Sequence, residues 1–158
     1  KGVQNDLEVV CRMGQGLAGI VRRAIPSLAP ASGNGTAAAH EPWQFNTTWT
    51  LEEYLTTSFV HAASGAPVVT AVSALAAGSL ALLGLPGEVV NEYRAAFRKR
   101  SPFAQTLLVS LANDCIGYLA TDEILAQGAY EAALCPLNPI EAEMTARADA
   151  VLQRIRAG

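Results

Sequence analysis

The stretch "LALLGLPGEVV", Leu80 to Val90, decides how this chain is read. An apolar run of strand length ends in Pro86-Gly87, and a lone carboxylate, Glu88, follows at once. Pro-Gly punctuates a chain, so the run predicts a strand leaving the core and a helix beginning after the corner. That helix would carry Val89, Val90, Tyr93 and Phe97 on one face. Arg94, Arg98 and Lys99 would stand toward its end, where cations suit the helix dipole.

Working outward, "SPF" at Ser101 to Phe103 breaks the helix, and "QTLLVSLAN", Gln105 to Asn113, is a second continuous apolar run. Strand, helix and strand over Leu80 to Ala112 predict a parallel pair covered by its crossover helix. Before the corner, Val68 to Leu75 and Leu80 to Leu85 flank "AAGS", a hairpin with Gly78 supplying the turn. In "WQFNTTWTL" the residues Trp43, Phe45, Thr47, Trp49 and Leu51 alternate with polar ones, as in a half-buried strand. Asn5 or Asp6 caps an amino-terminal helix with Leu7, Val10, Cys11, Leu17, Val21 and Ile25 at helical period, and Pro26 stops it. A last helix opens at Asn138-Pro139 and turns Met144, Ala148, Val151, Leu152 and Ile155 inward. Pro26 to Pro42 has no periodicity and is rich in Pro, Gly, Ser and Ala, which predicts a flexible loop. The fold class is α/β: a mixed sheet with a β-hairpin and a strand–helix–strand unit, helices packed on the sheet, and helices at both termini.

The 158 residues are one domain's worth of chain, and 51% are hydrophobic against 16% charged. Such a balance predicts a surface that packs against something. A net charge of −3 gives no footprint for nucleic acid or anionic lipid. The longest apolar tract, Ala66 to Leu85, is interrupted by Thr70, Ser73, Gly78 and Ser79, so a transmembrane span is not expected. Cys11, Cys115 and Cys135 lack metal-ligand spacing and suit buried thiols better than a disulfide framework; the compartment stays open. The chain starts at Lys1 with residues that already read as a helix start, so a fragment, a processed chain or a separate subunit is expected.

In a parallel strand–helix–strand unit both strands end at one edge of the sheet, the edge where open α/β sheets bind ligands. Glu88 falls just past the first strand and "NDCIGY", Asn113 to Tyr118, just past the second. Glu88 alone equally suits a first-turn carboxylate favoured by the helix dipole. The following segment, "ANDCIGYLATDEILAQGAYEAAL", adds Gly117, Gly128 and Tyr130 and a short helix around Asp122 to Ala126.

The motifs "GLPGEVV", "SLANDCIGYLATDEIL" and "QGAYEAA", in this order, resemble the carboxyl-terminal half of the neutral/alkaline ceramidase-like catalytic domain over roughly Val68 to Ala133. That family hydrolyses an N-acyl amide bond with one zinc ion held by two histidines, a glutamate and a tyrosine. The resemblance implies that Glu88 and Tyr118 are zinc ligands and that Tyr130 stands beside the substrate carbonyl. Cys115 departs from the family's aromatic, and Ala132 from its glycine. The family's zinc histidines belong to its amino-terminal half. The implied partner is therefore that half of the same precursor, or a second subunit making a heterodimer, and the implied substrate is an N-acyl small molecule or lipid. His40, in the loop, and His61, in "SFVHAASGAP", match no ligand motif; His61 is the better placed of the two to line a cleft. The alternative is a non-catalytic structural or regulatory subunit that kept the fold and lost the chemistry.

Other patterns carry less. "MGQGLAG" spells G-x-G-x-x-G at Gly14, Gly16 and Gly19, but a dinucleotide site needs a preceding strand, and helical periodicity runs through these glycines. Close packing through small residues is the better expectation. Sequons stand at Asn34 and Asn46, and "FRKRS", Phe97 to Ser101, is a helix-end basic cluster that reads as solvated.

Overall fold

The computed structural model describes residues 7–48, 65 and 67–157, in two units, Lys1–Ala31 and Ser32–Gly158. The first unit is one helix, α1 (Leu7–Ala24), running into a 3-10 turn at Ile25–Ser27 that holds Pro26. None of α1 is buried, and its stripe of Leu7, Val10, Leu17 and Val21 is exposed. Gly14 and Gly16 have open space where a side chain would stand. The helix also removes the strand that a dinucleotide fingerprint requires.

The second unit runs β1 (Thr36–Asn46), β2 (Pro67–Ala77), β3 (Leu80–Gly84), β4 (Glu88–Val89), α2 (Glu92–Arg100), β5 (Gln105–Val109), β6 (Tyr118–Leu119), α3 (Asp122–Gln127), α4 (Tyr130–Ala133) and α5 (Glu141–Ala157). The main sheet has the order β1-β2-β3-β5, and β4 with β6 forms a separate two-stranded ribbon. β1–β2 and β2–β3 are antiparallel, whereas β3–β5 is parallel. The architecture is the mixed α/β sheet that the sequence predicts, with the hairpin turning at Gly78 (φ 55°) and the β3–α2–β5 crossover in place. At Gly78 an added Cβ would meet the Ser32 carbonyl at 2.4 Å, so the left-handed turn and the close approach both require glycine.

Met144, Ala148, Val151, Leu152 and Ile155 of α5 are all buried, together with Trp43, Phe45, Val72 and Leu83 of the sheet. Each of the larger side chains contributes roughly 1.5–3 kcal/mol by leaving water. The other face of the sheet leaves Val69, Leu75, Leu107 and Val109 exposed, and part of the apolar excess lies there.

Three expectations need correction. The loop expected over Pro26 to Pro42 ends at Gly35: Thr36 to Pro42 belong to β1. β1 lies at the edge of the sheet, where Pro42 interrupts no ladder, and arginines of α5 bind its outward carbonyls. Arg154 Nη1 donates to the His40 carbonyl (3.0 Å) and Arg147 Nη1 to that of Pro42 (2.7 Å). The helix expected directly after Pro86-Gly87 starts at Glu92 instead, because Glu88-Val89 is drawn into β4 by Tyr118-Leu119 alongside. Of the cysteines, only Cys135 is buried; Cys115 is half-buried and Cys11 exposed. Asn5, Asp6, Trp49, Leu51 and His61 lie outside the described residues.

Candidate functional site

The corner after β3 is gripped from both sides. Leu85 and Pro86 are fully buried. On one side the Leu85 amide donates to the Val109 carbonyl (3.0 Å), and the amides of Leu111 and Ala112 donate to the carbonyls of Gly87 (3.0 Å) and Leu85 (2.9 Å). On the other, Ile116 donates to Pro86 (3.0 Å), Glu88 to Gly117 (2.9 Å) and Val90 to Leu119 (3.3 Å). Gly87 makes this clasp possible: an added Cβ would lie 2.4 Å from the Gly117 oxygen, a backbone atom that cannot turn away. The clasping loop has two left-handed residues, Leu111 (φ 56°) and Asn113 (φ 70°). Asn tolerates that region, and the Asn113 side chain donates to Ser73 Oγ at 2.6 Å; Leu does so at a cost of about 1–2 kcal/mol.

The result sets Glu88 directly across from Tyr118 in the parallel β4–β6 ribbon. Both side chains are half-buried. Tyr118 and Glu88 stand side by side across the ribbon. Interaction with the Glu88 carboxylate is the main reason that the phenol's pKa is pushed up to about 12, with partial burial adding to it. A proton beside a carboxylate is harder to remove. The Tyr118 ring meets the Tyr130 ring edge-on, centroids 5.8 Å apart at 76°. Tyr130 opens α4 and is 66% exposed, so its hydroxyl is open to a ligand. The Tyr118 amide donates to the Leu134 carbonyl (3.1 Å), which holds the end of α4 against the ribbon.

The structure thus brings together the three residues singled out in the sequence, Glu88, Tyr118 and Tyr130. Glu88 is not a first-turn carboxylate, since that place in α2 is held by Glu92. His40 does not join them: it is exposed on β1, paired with Ser73 across the β1–β2 ladder.

Two solved ceramidase structures are similar to this chain. A ceramidase complexed with C2 is 22% identical over 60% of this chain, with a TM-score of 0.46. The neutral ceramidase from Pseudomonas aeruginosa is 20% identical over 60% of this chain, with a TM-score of 0.44. The chain covers 17% of the length of either structure. No family model and no curated protein matches it.

A catalytic zinc ion usually takes three protein ligands and keeps one position for water. Glu88 and Tyr118 offer two oxygen donors at one place. Among the described residues, no group of three or more His, Cys, Asp or Glu side chains is close enough to hold a metal. These residues therefore do not make a complete zinc site by themselves.

Sequence reasoning missed the ribbon that aligns the pair. The signal available was "EVV" itself, whose two β-branched residues suit a strand better than a helix start. It also set aside the basic residues of α2, which prove to line a groove.

Proposed function

We propose that this chain is part of a hydrolase of N-acyl amide bonds, similar to the neutral/alkaline ceramidases, and that it contributes part of the active site. In this reading Glu88 and Tyr118 are two ligands of a zinc ion whose imidazole ligands come from an amino-terminal portion of the same precursor or from a second subunit. The reading is supported by one observation above all: a carboxylate and a phenol, thirty positions apart, meet across a two-residue ribbon, with a second phenol packed on the first. Zinc, when bound, supplies hydroxide near neutral pH and polarises a carbonyl. The chain's own groups hold and orient. Glu88 offers an anionic oxygen from a backbone fixed by the Gly117 carbonyl. Tyr118 offers its phenol oxygen beside that carboxylate. Tyr130, exposed beside it, is free to donate to a substrate carbonyl as negative charge develops there.

The test is metal content and amide hydrolysis of the chain together with whatever co-purifies with it. Glu88→Ala is expected to abolish both stoichiometric zinc and turnover. Tyr130→Phe is expected to keep zinc and lower kcat by roughly 10²-fold or more, as loss of one oxyanion donor does. Full zinc and full turnover in Glu88→Ala would reject the assignment.

A second reading, a structural or regulatory subunit without chemistry, is favoured by the same pairing read differently. The carboxylate and the phenol already face one another across the ribbon, and the described residues offer no third ligand. An assembly that folds and binds its partner yet holds no zinc and cleaves no amide would select it.

A further inference from the structure

A groove runs between α2 and β5, the edge strand of the main sheet, and encloses a cavity of about 280 Å³. Arg94 and Arg98 stand on its wall one helical turn apart. Like charges at that spacing repel by a few tenths of a kcal/mol, and helices commonly relieve the repulsion with a nearby acid. None is provided. Arg12, Arg100, Arg147 and Arg154 have carboxylate partners, whereas among the described residues Arg94 and Arg98, like Arg22, Arg23, Lys99 and Arg156, have none; of these only Arg94 and Arg98 line this groove. Among the described residues no Asp or Glu lines the groove.

The remaining polar lining consists largely of donors as well. Asn91 sits at the helix start and its side chain makes no capping hydrogen bond, so the carboxamide can turn its NH2 group toward the groove. Ser110 Oγ accepts the Val89 amide (3.2 Å), so its own hydroxyl hydrogen can point elsewhere. Val90 and Leu108 give the groove an apolar part that limits competition from water. Two exposed guanidinium groups, one side-chain amide and two hydroxyls, Ser110 and a Thr106 that donates to Ser101 Oγ (2.6 Å), thus line a space of small-ligand size.

We propose that this groove binds the phosphate group of a small molecule. Two guanidinium groups balance a dianion, whereas a carboxylate would leave one of them uncompensated. Three terminal phosphate oxygens can also accept from both arginines, Asn91 and Ser110 together, which two carboxylate oxygens do less completely. The proposal does not depend on Glu88, Tyr118 or zinc.

The experiment is a titration of the isotopically labelled chain with inorganic phosphate, followed by backbone and arginine side-chain NMR, beside sodium chloride and acetate at matched ionic strength. Saturable shifts confined to Asn91, Arg94, Arg98 and Ser110 are expected with phosphate. The Arg94→Ala/Arg98→Ala double variant should bind at least about tenfold more weakly, and Arg22→Ala/Arg23→Ala, a basic pair on α1, should match the wild type. If the alanine variant fails to fold, Arg94→Gln/Arg98→Gln serves with the same expectation. Unsaturable shifts, equal shifts with chloride, equal affinity for acetate, or undiminished binding by the folded double variant would each overturn the proposal.

Discussion

At the β1 edge of the main sheet, Arg147 and Arg154 reach from α5 to the carbonyls of Pro42 and His40 and to the Glu41 carboxylate; at the β5 edge, Arg94 and Arg98 of α2 reach nothing that carries negative charge. The chemistry of the side chains is the same and their surroundings differ. On the first edge Arg147 and Arg154 each have a carboxylate partner and each donates to a strand carbonyl, so these arginines belong to the architecture. On the second, positive charge is held ready beside a groove, and the nearby corner carries left-handed residues and a carboxylate set against a phenol. Structure is consolidated on one side of the sheet, and unmet chemical capacity collects on the other.

The contrast breaks first if the consolidated side proves dispensable. Trp43 is wholly buried, donates to Glu143 Oε1 (2.9 Å) and lies under the Arg147 guanidinium, 5.8 Å from its ring centre. Trp43→Ala is expected to lower stability by about 3–5 kcal/mol, measured by urea denaturation. A loss below about 1 kcal/mol would mean that β1 and α5 do not form the core edge described.

Next in size is the corner. Gly87→Ala forces a Cβ against the Gly117 oxygen, which should cost about 1–3 kcal/mol and push the strands of the β4–β6 ribbon apart. The informative readout is Tyr118: its pKa should fall toward the ordinary phenol value as Glu88 moves away. Lost stability with an unchanged Tyr118 would place the strain elsewhere.

This difference between the two sides also governs what the sequence could reveal. Leu80 to Ala112 was legible as strand, helix and strand because both apolar runs are continuous and the connection between them is short. The stripe from Met144 to Ile155 was legible because helical period is a local property. Thr36 to Pro42 was not. Its alanines have no strand preference, and it becomes a strand only through β2, about thirty residues on, and through arginines more than a hundred positions away. Glu88-Val89 behaves alike on a smaller scale, since a two-residue strand exists only where another chain segment lies beside it. The three residues of the candidate site were found without the ribbon that aligns them: their side-chain types and the resemblance pointed to them, while the register that sets Glu88 across from Tyr118 is a tertiary fact.

A smaller effect is expected from Glu41, which faces both Arg147 and Arg154. Partly exposed pairs of this kind contribute little, so Glu41→Ala should cost about 0.5–1 kcal/mol, and added salt should shrink the difference. Salt titration of the two unfolding midpoints checks it. A salt-independent loss would show that Glu41 acts by packing and not by charge, and would blur the contrast with the uncompensated arginines of α2.

The smallest change in stability, and the most selective in pH, belongs to Tyr118 in the metal-free chain. A phenol beside a carboxylate holds its proton more tightly folded than unfolded, so its folded pKa, about 12, lies above the ordinary 10. A group shifted upward contributes its stabilisation in full below the unfolded pKa and loses it as pH rises through the folded one. The difference between wild type and Glu88→Gln should therefore be constant from neutral pH up to about pH 10 and disappear between about 10 and 12. Phenolate absorbance follows the same event directly: one tyrosine should ionise near 12 in the wild type and move toward 10 in Glu88→Gln, while Glu41→Ala leaves it in place. Identical phenolate titrations in wild type and Glu88→Gln would show that the carboxylate is not the partner of the phenol, and the corner would then hold no more unspent chemistry than the sealed edge across the sheet.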